Sequence, residues 1–226
     1  NGAGNTITID GIYPTYKGLF ASSSGTIQNV KLVYSSGLSI SNTVSHVFVG
    51  GFIGANTGTI TDCSVEISGN IFINSDTTFA YEWSINGGFC GYNNGGIISN
   101  CSLTADNGSY TISGNHSSNG GFCGVNNGII GLGCMITISG NIIIGRYYMG
   151  VIAAGTPTGN GGFCGRNGGS INSGCSATFN GSVFVHVTSD IYRGYIGSFV
   201  AYDYSGTYTN CSVSYNSTVT FKNKAD

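Results

Sequence analysis

Gly87-Gly88-Phe89-Cys90-Gly91-Tyr92-Asn93-Asn94-Gly95-Gly96-Ile97-Ile98-Ser99-Asn100-Cys101-Ser102 is the stretch that decides how this chain folds. Its opening phrase, Gly-Gly-Phe-Cys-Gly, returns at Gly120 to Gly124 and at Gly161 to Gly165, so the clear copies lie 33 (120 − 87) and 41 (161 − 120) residues apart. Looser copies start near residues 18, 50 and 197, and in each copy the phrase is expected to lead into an Asn/Gly turn. Self-similarity at such a period marks a repeat architecture, in which each unit buries its apolar face against the next. No composition shift separates the copies, and residues 1–226 read as a single repeat domain.

Each copy has two halves. Aligned on the second, Val30, Cys63, Cys101, Cys134, Cys175 and Cys211 share one position. Two residues on come Leu32, Val65, Leu103, Ile136, Ala177 and Val213, and two further on Tyr34, Ile67, Ala105, Ile138, Phe179 and Tyr215. Polar residues such as Ser64, Ser102, Ser176 and Ser212 lie between them. This period-two alternation is the signature of a strand with one buried face, so the cysteines of this half are expected to point inward in a column. A polar corner follows, at Ser68-Gly69-Asn70, Ser113-Gly114-Asn115, Ser139-Gly140-Asn141 and Asn180-Gly181, where Gly and Asn tolerate the dihedrals of a sharp turn. A short strand follows the corner, as at Ile71 to Ile73 and Ile142 to Ile144.

In the first half two adjacent positions are apolar in every copy: Leu19-Phe20, Phe52-Ile53, Phe89-Cys90, Phe122-Cys123, Phe163-Cys164 and Phe199-Val200. Neighbours on a strand face opposite ways, so this strand is expected to be buried on both sides. Its cover is expected from the variable segments, such as Thr77 to Ile85 or Arg146 to Thr158. With about three short strands per repeat, the expected fold class is all-β: a β-solenoid (β-helix) of about six coils with inserted loops, on the order of 30 Å long at strand spacing. Asn1 to Tyr13 is expected to pair with the first coil, and Lys222 and Lys224 to discourage pairing at the other end.

The phrase Gly51-Phe-Ile-Gly-Ala-Asn-Thr-Gly-Thr-Ile-Thr-Asp-Cys-Ser64, like Gly87 to Ser102, resembles the GLUG repeat. The resemblance covers the copies from 50, 87, 120 and 161 well and those from 18 and 197 loosely. It implies a β-solenoid with a surface or structural role, as in adhesins and in some proteins of large DNA viruses. It implies no catalytic residues. The paired cysteines depart from the commoner pattern of that repeat.

Composition narrows function by class. Charged residues make up 7% of the chain and the net charge is −2, so no basic stripe suits nucleic acid. No apolar run is long enough to span a membrane. The chain begins at Asn1 without a signal-peptide pattern and reads as a piece of something longer. Gly (39), Asn, Ser and Thr carry the solubility, while Tyr, Phe, Ile and Val supply a core.

The eight cysteines form a possible disulfide or thiol ladder. Pairing within repeats would join Cys90 to Cys101, Cys123 to Cys134 and Cys164 to Cys175. Pairing between neighbours would join Cys63 to Cys90, Cys101 to Cys123 and Cys134 to Cys164. The third reading is free thiols packed as small hydrophobes, in line with Ile53, Val200 and Val30 at equivalent positions. Close Cys-x-x-Cys pairs, which mark zinc sites, are missing, and no metal or cofactor is implied.

His46, His116 and His186 fall in different repeats, and nothing selects a nucleophile. The acids are sparse, with Glu82 beside Trp83 the least repeat-like pair. Thr-x-Thr pairs, as at Thr59/Thr61, do not recur in the middle repeats. Asn-x-Ser/Thr sequons stand at Asn100, Asn107, Asn115, Asn180, Asn210 and Asn216. Trp83, Arg146, Tyr147, Tyr148, Tyr192 and Arg193 are the candidate partner contacts, since arginine and aromatic residues are enriched at interfaces.

The first functional expectation is a non-enzymatic structural or adhesive module of an extracellular, cell-surface or filament protein. It would present loops for protein or glycan contact, with self-assembly through coil ends or inserted loops. The alternatives are a minor capsid or fibre component of a virus particle, and a β-helix enzyme acting on polysaccharide.

Overall fold

A computed structural model describes residues 1–10, 17–42, 47–75, 84–106, 108–114, 117–145, 158–186 and 194–222. All regular structure among them is β. Each turn of the chain contributes one strand to each of five parallel sheets, and equivalent strands stack in sequence order. In the first turn the five strands are Phe20–Ser23, Thr26–Gln28, Lys31–Tyr34, Leu38–Asn42 and Phe48–Gly50. We number the sheets first to fifth in that order. Among the described residues five turns are complete, and a sixth, partial turn ends in the fourth sheet at Val219–Lys222. The architecture is therefore a β-solenoid of about five turns, with five strands per turn rather than three.

The third sheet follows the alternation in the sequence. Leu32 lies opposite Val65, Val65 opposite Leu103, Leu103 opposite Ile136, and Ile136 opposite Ala177. All five are buried, while Ser64 and Glu66 between the buried positions are not. The residue before each of these cysteines, and before Val30 in the first turn, turns the corner in the left-handed region: Asn29, Asp62, Asn100, Gly133, Gly174 and Asn210 have φ from 49° to 80°. Asn, Asp and Gly are the residues that enter that region at low cost, which explains the Asn-Cys pair. Thr6–Ile9 adds a seventh strand to this sheet, in parallel register from Thr6 opposite Lys31 to Ile9 opposite Tyr34. The described part of the amino-terminal segment thus pairs with the first coil as expected. Lys224 lies outside the described residues.

The corner into the fourth sheet sits at Gly69, Gly108, Gly140 and Gly181, each against the backbone of its neighbour one turn away. Ser113-Gly114 is not that corner: both residues belong to the strand Ser109–Gly114, and the turn lies six residues earlier, at Gly108. The repeated Ser-Gly-Asn triplet misaligns this turn by position. The strands Ile71–Ser75 and Asn141–Ile144 fall where expected.

The Phe-Cys half departs from the expected doubly buried strand. Gly88-Phe89 is a bend, and the strand begins at Cys90, as in Cys90–Asn93, Cys123–Asn126 and Cys164–Asn167. The chain turns between the two apolar residues, so both are buried without belonging to opposite faces of one strand. The phenylalanines stack along the axis: Phe52, Phe89, Phe122, Phe163 and Phe199 follow at centroid distances of 4.8, 4.9, 5.0 and 4.7 Å. Backbone bonds continue through the bend, with Phe89 N–H donating to Phe122 O at 2.9 Å.

The other side of the first sheet is covered by the fifth. A Cβ on Gly91 would lie 2.7 Å from Val49 N, and one on Gly165 would lie 2.7 Å from Gly159 O, so the two backbones meet across glycine. Of the expected covering segments, the described ends join this layer, in the strands Ser84–Gly87 and Thr158–Gly161, and residues 77–83 and 146–157 lie outside the described residues.

Candidate functional site

Seven of the eight cysteines are buried, Cys211 is half-buried, and all eight are free thiols. They form two columns. In the first sheet Cys90, Cys123 and Cys164 stack in register, with Ile53 and Val200 at the ends. Cys63, Cys101, Cys134, Cys175 and Cys211 precede successive strands of the third sheet. Neither set of expected bridges forms, because Cys90 and Cys101, like Cys63 and Cys90, stand in different columns. The thiols donate to carbonyls instead, such as Cys101 Sγ to Ser99 O at 3.1 Å and Cys175 Sγ to Gly131 O at 3.0 Å.

Burial first of all pushes the Cys90 and Cys164 thiols well up. At Cys123 burial opposes the anion, while S–H groups from Cys164 and Cys90 favour it, so the central sulphur lies below its neighbours. A buried thiol is an inert one. A colorimetric thiol reagent is therefore expected to react with about one cysteine in native protein, Cys211, and with all eight in denaturant. Rapid native reaction at several positions would contradict these columns.

A feature the sequence presents as a turn is a second axial structure. Asn56, Asn93, Asn126 and Asn167, at the end of the first-sheet strands, are fully buried. Each side-chain amide donates to the next carbonyl: Asn56 to Asn93 at 3.0 Å, Asn93 to Asn126 at 2.8 Å, and Asn126 to Asn167 at 2.8 Å. A parallel ladder runs through the fifth sheet, from Asn86 to Asn119 at 2.9 Å and from Asn119 to Asn160 at 2.8 Å. The signal was an asparagine at one fixed repeat position. Buried tyrosines complete the polar interior: Tyr34 and Tyr110 donate to Gly51 O and Gly121 O at 2.7 and 2.6 Å.

The described acids are placed singly. Asp62 stands at its left-handed corner and accepts from Asn100, Glu66 pairs with Lys31 at 2.7 Å, and Asp10 accepts from Ser35 and Ser36. Glu82, Asp76, Asp190 and Asp226 lie outside the described residues, as do His46 and His116. His186 ends the strand Val183–His186. Among the described residues no three His, Cys, Asp or Glu side chains gather as a metal site, and no helix is long and apolar enough to cross a membrane. Of the sequons, Asn100 and Asn210 stand at exposed corners, and Asn216 donates to Asn180 at 2.7 Å on the surface. Asn107 and Asn115 lie outside the described residues.

The candidate contacts Trp83, Arg146, Tyr147, Tyr148, Tyr192 and Arg193 all lie outside the described residues. An aromatic surface cluster that the sequence reading passed over is described. Tyr195, Tyr202 and Tyr204 stack at centroid distances of 4.4 and 6.0 Å, and the Arg166 guanidinium sits 5.8 and 5.4 Å from the Tyr202 and Tyr204 rings. The Tyr204 hydroxyl donates to Asn127, whose amide donates to Tyr92 at 2.9 Å. Burial raises the Tyr204 phenol and the Arg166 charge draws it partly back.

Comparison with known protein families, with curated proteins and with solved structures finds no match.

Proposed function

We propose that this chain is a non-enzymatic structural module, a GLUG-type β-solenoid of a cell-surface or filament protein that displays its outer surface to protein or glycan partners. One observation carries the reading: the repeated residues able to do chemistry are used up in stacking. The cysteines fill columns, the asparagines bond one another along the axis, and the tyrosines of the interior hold corner carbonyls. Among the described residues, one column of the first sheet varies from turn to turn, as Ala55, Tyr92, Val125, Arg166 and Tyr202, and variable surface positions are where partners make contact. The eight free thiols favour a second reading, a virion component assembled in a reducing compartment.

Intact-mass measurement of the chain from its natural source, with and without alkylation, separates the two. Glycan mass at Asn180 or Asn216 is expected for the surface protein. Eight alkylated thiols with no glycan are expected for the particle. Turnover of a polysaccharide by the purified chain would overturn both.

A further inference from the structure

We propose that Arg166, Tyr202, Tyr204 and Asn127 form a binding site for a carboxylate-bearing sugar. This deepens the display reading above by naming the contact surface and the class of its ligand. Arg166 belongs to an outer column of the first sheet that runs Ala55, Tyr92, Val125, Arg166, Tyr202. The column is small at one end and aromatic and cationic at the other.

Room for the site is built into the backbone. A Cβ on Gly168 would collide with Cζ and the hydroxyl of Tyr204, and one on Gly159, which first meets the backbone oxygen of Gly165, would lie 3.2 Å from Arg166 Cγ. The bare Gly168 leaves the space that the Tyr204 ring occupies. Tyr204 then reaches back across two turns to Asn127, and Val125 is buried near the amide and the arginine.

Charge sets the ligand class. Arg166 lies over two rings but has no carboxylate in ion-pair reach among the described residues, where the ion pair is Lys31–Glu66. Its Nε is shielded from solvent and has no hydrogen-bond partner, which leaves the two terminal amino groups as the part of the guanidinium that a ligand can meet. A ring face offsets only part of a guanidinium charge, and the matching group for the planar fork is a carboxylate. Around it stand phenol hydroxyls, an amide and exposed ring surface, with Tyr204 43% accessible. An acidic pyranose offers the complement of all three: a carboxylate, hydroxyls, and an apolar C–H face for an aromatic ring.

The test is titration of the intact chain, by calorimetry and by tyrosine ring NMR signals, with α-1,4-linked tetragalacturonate. Maltotetraose serves as the neutral sugar and tetraglutamate as the acidic non-sugar. Tetragalacturonate is expected to bind and to shift the Tyr202 and Tyr204 signals. Arg166→Gln is expected to weaken it by roughly tenfold or more, the loss of one charge-assisted contact. Arg166→Lys should recover part of that loss, since it restores charge without the fork.

Tyr204→Leu is the second variant, and circular dichroism and melting temperature confirm that each variant is folded. Equal affinity in folded Arg166→Gln, or no binding of tetragalacturonate, overturns the site. Tetraglutamate binding as tightly as the sugar overturns the sugar class. Failure of the site leaves the structural reading standing, whereas cleavage of the tetramer in the titration mixture overturns that reading and not the site.

Discussion

Asn126→Leu is expected to lower the stability of the chain by roughly 2–6 kcal/mol, out of a total on the order of 10 kcal/mol for a folded domain. The side chain is fully buried and makes four polar contacts. Its carbonyl accepts from Asn93 at 2.8 Å and from Gly128 N–H at 3.2 Å, and its amide donates to Asn167 at 2.8 Å and to Ser170 O at 3.3 Å. Leucine has nearly the same shape and none of these groups. Asn167 Oδ1 and the Gly128 N–H then remain buried without that partner, and it is the orphaned groups, more than the lost bonds, that set the cost.

The effect has a further signature. In a solenoid each turn contacts only its neighbours, so cooperativity depends on the interface between turns. Asn126 lies in the middle of the ladder, with Asn56 and Asn93 on one side and Asn167 on the other. Urea unfolding followed by circular dichroism should therefore show a lower midpoint and a shallower or divided transition. Asn94→Leu, at an exposed neighbouring position, should stay within about 0.5 kcal/mol of the parent. Equal midpoints for the two variants would show that the ladder does not couple the turns.

How far the sequence discloses this fold depends on whether side-chain direction or chain direction carries the signal. The third sheet was legible because Val65, Leu103 and Ile136 keep strict alternation over a straight strand. The Phe89-Cys90 pair was not, because alternation holds only while the backbone runs straight, and here it bends between the two residues. Asn93 and Asn126 read as turn residues from their glycine neighbours. Nothing local distinguishes an asparagine that turns the chain from one that bonds its own copy a turn away. The distinction lies in a register that exists only after stacking.

The aromatic cluster was hidden for a related reason. Arg166, Tyr202 and Tyr204 are brought together across turns, and Asn127 is 77 positions from Tyr204. Residues adjacent in sequence, such as Arg146-Tyr147-Tyr148, attract the eye first. The disulfide readings paired cysteines by spacing. The columns separate those partners because the two halves of one repeat occupy different sheets.

Gly124→Val is expected to destabilise the chain by about 3 kcal/mol or more, with a fall in melting temperature on the order of 10 °C and a low soluble yield. The reason is the contact of the first sheet with the fifth. A Cβ on Gly124 would lie 2.7 Å from Asn86 O, 2.8 Å from Gly91 O and 2.5 Å from Ile85 Cγ2. Two of these are backbone atoms tied into ladders, so relief requires parting the sheets rather than turning a side chain. The equivalents Gly54, Gly91 and Gly165 meet the same kind of obstacle, at 2.6 Å from Phe48 O, 2.7 Å from Val49 N and 2.7 Å from Gly159 O.

The ends of this column argue that the restriction comes from packing and not from backbone angle. None of these glycines has a left-handed φ. The column terminates in Ala21 and Ala201, opposite Gly54 and Gly165, where the outermost turns have a neighbour on one side only. Gly124→Ala should accordingly fall between parent and valine variant, while Ala201→Gly should cost no more than about 1 kcal/mol through backbone freedom. A Gly124→Val protein that melts within a few degrees of the parent would mean that the fifth sheet does not lie on the first. The cover of the Phe-Cys half would then have to come from elsewhere in the chain.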